Sequence, residues 1–296
     1  MHPKGIIAIP CTPYHADMTL DYDSLEREIE FILRSGAHGI AYPIMASEFY
    51  VLSDDERKKA VEMVIHAAGD SLPIYVGVTG QNIHHSLALA QHAQDSGATG
   101  LICMTPILHS LDEARSSEFF HLLDKKVSIP VMLQNVEAYG MLPLSIPAAI
   151  KIISQSENIK YIKEEGMPSL LRIEQAVRLG KDVVDGVYGG FGGAQFLDEL
   201  ELGVAGTLMA CEFADIFAKM YNAWDAGDKE KATTIFSRLL PAVIAENKLF
   251  PAFPLAVLKK RGIIENSQPR SLSMELPERI LQLVDRYIED LDDLMI

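Results

Sequence analysis

The sequence predicts an α/β fold, a (β/α)8 barrel of eight parallel strands inside a ring of helices, with a helical extension at the C-terminus. Three observations predict it. Short runs rich in Ile, Val, Leu or Met, bounded by Gly, Pro or Asn, recur eight times, as strands buried on both faces do. Amphipathic stretches separate them, which makes eight strand–helix units. No glycine-rich nucleotide turn lies in Ala8–Tyr14 after the first strand, which argues against a doubly wound open sheet.

The elements follow in order. The first strand is expected at Gly5–Thr12 and the first helix at Asp23–Ser35, where Leu25, Ile29, Ile32 and Leu33 share one face. Strand two, Gly39–Pro43, leads to a helix opened by Ser53 with Glu56, a capping box, and running through His66. Pro73–Thr79 and Gly100–Thr105 are the next strands, followed by helices at Asn82–Ser96 and Asp112–Lys126. Pro130–Asn135 and Ile159–Glu164 precede helices at Ile146–Ser154 and Ser169–Leu179. The last two strands, Val183–Val187 and Ala205–Ala210, precede helices at Ala194–Leu202 and Asp215–Ala226. Strands then stop. The barrel spans residues 1–226, and Lys229–Asn247, Pro251–Arg261 and Leu276–Asp292 form an extension, 227–296, packed on it.

Composition excludes several functions. Of 296 residues 48% are apolar, ample for a large core, and the net charge of −15 repels nucleic acid and anionic membranes. No apolar run reaches the roughly 18 residues of a membrane span, and Met1–Ile9 does not read as a signal peptide. Cys11, Cys103 and Cys211 are far apart in the chain, form no metal-type or redox pair, and point to reduced thiols in a cytoplasmic protein. Nine histidines show no ligand spacing, so no metal is expected.

In a barrel of this kind functional groups gather at the C-terminal ends of the strands. That rule selects Thr12–Tyr14, Met45–Glu48, Thr79–Gly80, Thr105–His109, Gln134–Tyr139, Lys163–Glu165, Gly186–Gly190 and Leu208–Cys211. Lys163 stands out at the end of a buried strand. A lysine amine stripped of water is a nucleophile toward carbonyls and forms Schiff bases; the plainer alternative is a lysine snorkelling to solvent or paired with Glu164 or Glu165. Strand alternation puts Glu165, rather than Glu164, on the face of Lys163. The glycine-rich Gly186–Gly193 carries no Lys or Arg, so a close backbone approach to substrate suits it better than a phosphate site.

The arrangement of Lys163 ending strand six, Gln134-Asn135 ending strand five, the loop Pro43–Glu48 leading into Leu52–Arg57, Gly186 ending strand seven and Gly203–Thr207 along strand eight resembles the dihydrodipicolinate synthase/N-acetylneuraminate lyase family over nearly the full length. The resemblance implies a lyase that binds a 2-oxo acid, often pyruvate, as an imine on the lysine matching Lys163, without a cofactor, commonly as a homotetramer built as a dimer of dimers. The departures narrow it. Where the family has two hydroxyl residues before Gly-Glu, this chain has Met45-Ala46-Ser47-Glu48, and where it has a tyrosine as proton shuttle, Gln134 stands. A second tyrosine is replaced within Ile107–His109. Dihydrodipicolinate synthesis itself is therefore not expected. The Ser-Glu loop and the glutamine are similar to the 2-keto-3-deoxy-L-arabonate dehydratase branch.

These residues lead to a lyase on a 2-oxo acid, a dehydratase or aldolase of a 2-keto-3-deoxy sugar acid. The alternatives are a non-catalytic 2-oxo-acid-binding barrel and a pyruvate-dependent aldolase like N-acetylneuraminate lyase. Lys163 forms the imine, Glu165 is a candidate acid/base, and Gln134, which does not titrate, orients a water or substrate hydroxyl. Ser47, Glu48, Tyr139, Gly186, Tyr188 and Leu208 are candidate substrate contacts, Ser47 for the carboxylate. Glu48, His109, Tyr139 and Tyr188 are further acid/base candidates.

Overall fold

The computed structural model describes residues 3–106, 111–137, 142–271 and 274–296. Eight parallel strands pair in chain order and close, β8 on β1: β1 (Gly5–Ile9), β2 (Gly39–Tyr42), β3 (Ile74–Gly77), β4 (Gly100–Cys103), β5 (Val131–Val136), β6 (Ile159–Glu165), β7 (Gly186–Gly189) and β8 (Gly206–Ala210). Each of the first seven is followed by an outer helix before the next strand: α1 (Tyr22–Ser35), α2 (Asp54–Ala68), α3 (Ile83–Asp95), α4 (Glu113–Lys126), α5 (Ile146–Ser154), α6 (Ser169–Gly180) and α7 (Phe196–Leu202). α8 (Ala214–Asp225) follows β8 and completes the ring.

Local chemistry sets the helix starts on the side where the strands end. Asp21, Ser53, Asn82, Asp112 and Ser145 each accept a backbone N–H of the helix they open, and Ser53 with Glu56 forms the expected capping box. The far end of the barrel interior is closed by aromatic rings. Tyr75 meets Tyr161 edge-on at 6.1 Å, and Tyr161 meets Tyr188 at 6.0 Å. The Tyr188 hydroxyl donates to the Pro3 carbonyl, just ahead of β1.

Two expectations are corrected here, and a third is given its spatial setting. Val183 and Val184 are not in a strand; their amides turn back to the Gly180 carbonyl and finish α6. β7 therefore runs over Gly186–Gly189, and Gly186 begins it at the N-terminal end of the barrel instead of ending it at the mouth. Cys11 and Cys211, 200 positions apart in sequence, belong to the ends of adjacent β1 and β8, with their buried thiols within hydrogen-bond reach of one another. Both are free, and no group of described residues is arranged to hold a metal ion.

The extension comprises α9 (Lys229–Leu249), α10 (Ala252–Lys260) and α11 (Glu278–Leu291), with α9 packed along α8. No described helix is long and apolar enough to cross a membrane. Between α10 and α11 the chain returns across the mouth side. Arg270 makes two 2.8 Å hydrogen bonds to the Glu56 carboxylate, donates to the Met18 carbonyl at 2.6 Å, and lies 4.3 Å over the Tyr14 ring. One arginine thus ties the extension to the loops after β1 and β2.

The Arg270 hydrogen bonds, aided by the amide of Ser53, hold the Glu56 carboxyl at about 2, below its ordinary 4.5. Stabilisation from a carboxyl lowered on folding is complete above the unfolded value and fades as pH falls through the folded one. Arg270→Ala is expected to cost about 2 kcal/mol at pH 7, discounted for partial exposure. The gap to wild type should shrink as pH falls from about 4.5 toward 2; urea unfolding at pH 7 and pH 3 measures it.

Candidate active site

Alternation along β6 turns Tyr161, Lys163 and Glu165 into the barrel and leaves Glu164 facing out. Register then sets the neighbours: Gln134 of β5 pairs with Lys163, and Val136 with Glu165. Lys163 Nζ lies 2.9 Å from Glu165 Oε2, and Gln134 Nε2 donates to the same oxygen at 2.8 Å. The other carboxylate oxygen, Oε1, accepts the Phe191 amide at 3.4 Å. Lys163 is 2% exposed and Glu165 8%. A buried ammonium beside a carboxylate is a proton donor–acceptor pair already in contact. It delivers a neutral amine whenever the carboxylate takes the proton.

Glu164, directly between them in sequence, has a different task. Its carboxylate accepts Arg172 Nε at 2.6 Å, Asn135 Nδ2 at 2.7 Å and the Gly166 amide at 2.8 Å. Burial pushes this carboxyl up, against the opposing pull of Arg172. Asn135 also holds Leu144 through both backbone groups, donating to its carbonyl at 3.1 Å and accepting its amide at 2.7 Å. Both carboxylates are buried.

The other predicted contacts separate. Ser47 is buried, and its hydroxyl donates to the Pro10 carbonyl at 2.7 Å, so its one proton is not available to a substrate carboxylate. Its backbone carbonyl accepts Thr12 Oγ1 at 2.6 Å, which locks the β2 loop onto the end of β1. Glu48 sits in the left-handed region with φ 50° and is buried; burial raises its carboxyl, and it accepts the Ser271 amide at 3.2 Å. It anchors the returning extension. Gly186 begins β7, and Tyr188, although it pairs with Lys163 in the β6–β7 register, sends its side chain the other way, among the rings described above and to the Pro3 carbonyl, so neither reaches the mouth. Leu208 is buried mid-strand opposite Ile7, part of the apolar core. Tyr139 and His109 fall outside the described residues.

Glycines after β7 leave room, but side chains of the protein fill it. A methyl group on Gly189 would overlap the Glu199 carboxyl, and one on Gly190 the Glu165 carboxyl. Glu199 was not visible as a candidate, because an acidic residue in a seven-residue helix gives no sign that it faces a bare strand. Cavities of about 330 and 420 Å³ open elsewhere, beside Gln81, Ile83 and Arg115 and beside Lys4, Asp185 and Trp224. Neither is lined by Lys163.

Comparison with known proteins shows the family. A family model, the dihydrodipicolinate synthetase family, matches residues 2–289. L-2-keto-3-deoxyarabonate dehydratase of Azospirillum brasilense is 25% identical over 277 residues, 92% of this chain and 89% of the relative. A protein of Escherichia coli strain K12 described as "Probable 2-dehydro-3-deoxy-D-pentonate aldolase" is 26% identical over 248 residues, 82% of each chain. Dihydrodipicolinate synthase from Aquifex aeolicus superposes with a TM-score of 0.91 at 21% identity over 99% of both chains, a likeness of fold.

Breaking a buried ion pair from one side leaves an uncompensated charge. Arg172→Ala should therefore destabilise the protein by about 3 kcal/mol. Adding Glu164→Gln to that variant should return part of the loss, as read from urea midpoints of the two variants and wild type.

Proposed function

The chain belongs to the dihydrodipicolinate synthetase family, whose members are lyases, and we propose that it forms an imine between Lys163 and a 2-oxo acid and dehydrates a 2-keto-3-deoxy sugar acid. One observation carries the reading: the buried Lys163 amine touches Glu165, whose bound oxygen is also held by Gln134.

The chemistry follows from those contacts. Lys163 passes a proton to Glu165, and the neutral amine attacks C2 of the substrate. The carbonyl oxygen leaves as water with one proton from the amine and one from Glu165, and an iminium remains at C2. The iminium is an electron sink, so Glu165, again a carboxylate, removes a C3 proton to give an enamine. The enamine expels the C4 hydroxyl, which departs as water with the proton Glu165 has just taken. Hydrolysis of the unsaturated iminium frees the lysine. One carboxylate beside the amine serves each proton transfer. Gln134 does not titrate and fixes that carboxylate.

Dehydration fits this set better than carbon–carbon cleavage, which needs a base at the C4 hydroxyl where the family resemblance places a tyrosine and this chain has Gln134. The similarity to the Azospirillum dehydratase supports the same choice. The second reading, a pyruvate-releasing aldolase, is favoured by the similarity to the Escherichia coli protein. Both readings keep Lys163 as the imine-forming residue and the homotetramer that the resemblance implies.

Incubation with pyruvate and borohydride should add one reduced pyruvyl group at Lys163, detected by peptide mass, and Lys163→Ala should abolish it. Labelling at another lysine, or none with any 2-oxo acid, sinks the mechanism. On 2-keto-3-deoxypentonates and hexonates, water elimination without pyruvate release marks the dehydratase, and pyruvate release the aldolase. Gln134→Ala should trap pyruvate normally but turn over more slowly. Losing one such hydrogen bond costs about 1–3 kcal/mol, or roughly ten- to a hundred-fold in rate. Unchanged turnover would remove Gln134 from the mechanism.

A further inference from the structure

One buried carboxyl group has no place in that scheme. Glu199 of α7 is 2% exposed, and its Oε2 has no hydrogen-bond partner among the described residues. It lies on the outer side of β7, where Gly189 has no side chain to exclude it, while on the inner side the next residue, Gly190, is equally bare against Glu165. Two consecutive glycines thus leave the barrel wall open between an inner and an outer carboxyl group. Thr207, opposite Gly189 in the β7–β8 register, contributes a second buried oxygen without a partner. Large side chains in β7 would have sealed this wall, as they do in β5 and β6.

The charges around Glu199 are few. Glu165 and Lys163 face it from β6, and Asp198 adjoins it on its own helix. α6, which also packs on α7, carries Arg172 bound to Glu164 and Arg178 bound to Glu174, and β8 has no titratable side chain. Glu246 of α9 lies against Gly192 in the same loop. Among the described residues no cation is paired with Glu199 directly. Burial raises its carboxyl to about 8, with Glu165 and Asp198 adding to the rise and Lys163 opposing it.

We propose that Glu199 is a positioning residue for the Lys163–Glu165 pair, acting through the Gly189–Gly190 opening as a neutral carboxyl that leaves Glu165 the only anion beside the lysine. The inference rests on the imine reading above. When Glu199 ionises, a second negative charge across the glycine wall favours the ammonium form of Lys163 over the amine that attacks a carbonyl. The rate of imine formation should then fall on the alkaline side, although free amine chemistry by itself would make it rise.

The test is the rate of borohydride-trapped imine formation with pyruvate between pH 6 and 10. Wild type should lose about tenfold along a limb with its midpoint near pH 8. Glu199→Gln, uncharged throughout, should match wild type within about twofold at pH 6.5 and lack the limb. Glu199→Asp, which keeps the titration, should retain one. A purely structural role would lower the Gln variant equally at all pH values, and that result, or an unchanged limb, overturns the proposal. A second readout uses the wild-type protein alone: the infrared band of a protonated carboxyl should disappear with the same midpoint as the trapping rate, and its absence at pH 6 also overturns it. If wild type traps no pyruvate at any pH, the imine reading falls and this inference with it. Trapping with a limb that ignores residue 199 removes Glu199 alone.

Discussion

The site depends on one constraint, a lysine held inside a barrel with almost none of its surface exposed to solvent. An isolated ion moved from water into a protein interior costs several kcal/mol, and only a counter-charge with its remaining hydrogen bonds satisfied offsets that. Lys163 meets this requirement through Glu165, and Glu165 in turn through Gln134 and the Phe191 amide. Removing any member leaves another uncompensated. In the imine reading, the same contact that makes the lysine tolerable in the fold also gives its proton somewhere to go.

Strand alternation sorts the two adjacent glutamates into unlike tasks. Glu165 follows Lys163 by two and shares its face, while Glu164 points into the outer layer, where Arg172 and Asn135 hold it. A shift of one residue in the β5–β6 register would exchange the two and place a carboxylate already committed to an arginine at the mouth. The register is protected from both sides. The tyrosine rings fill the lower barrel, and Asn135, bonded to Leu144 and Glu164, fastens the upper end of β5. Precision at Lys163 therefore originates in groups that never touch a substrate.

Repeated apolar runs made the barrel legible in the sequence, and so did a lone lysine at a strand end, because both are local patterns. What escaped was set by partners remote in the chain. Ser47 reads as a free hydroxyl until the end of β1 arrives with the Pro10 carbonyl. Glu48 reads as a mouth carboxylate until residue 271, 223 positions later, binds it. The cysteines read as separate until β8 closes on β1. β7 was misplaced for a different reason: its glycines have poor strand propensity, and only flanking β6 and β8 make them extended, whereas Val183 and Val184, good strand formers, close a helix.

The glycine-rich segment shows how far its meaning depends on what enters the space it leaves. Such a loop near the end of a barrel could cradle an anion with its amides, and a phosphate there would need cations to accompany it. Here the space is taken by the carboxyl groups of Glu165 and Glu199, with Glu246 close behind Gly192, and none of the three is a cation that would accompany a phosphate. In the reading proposed above, a single carboxylate acts as base toward a C3 proton and then releases that proton to the departing hydroxyl. In that reading proton transfer falls to a carboxylate on β6, where the resemblance implies a tyrosine hydroxyl on β5 and this chain has Gln134.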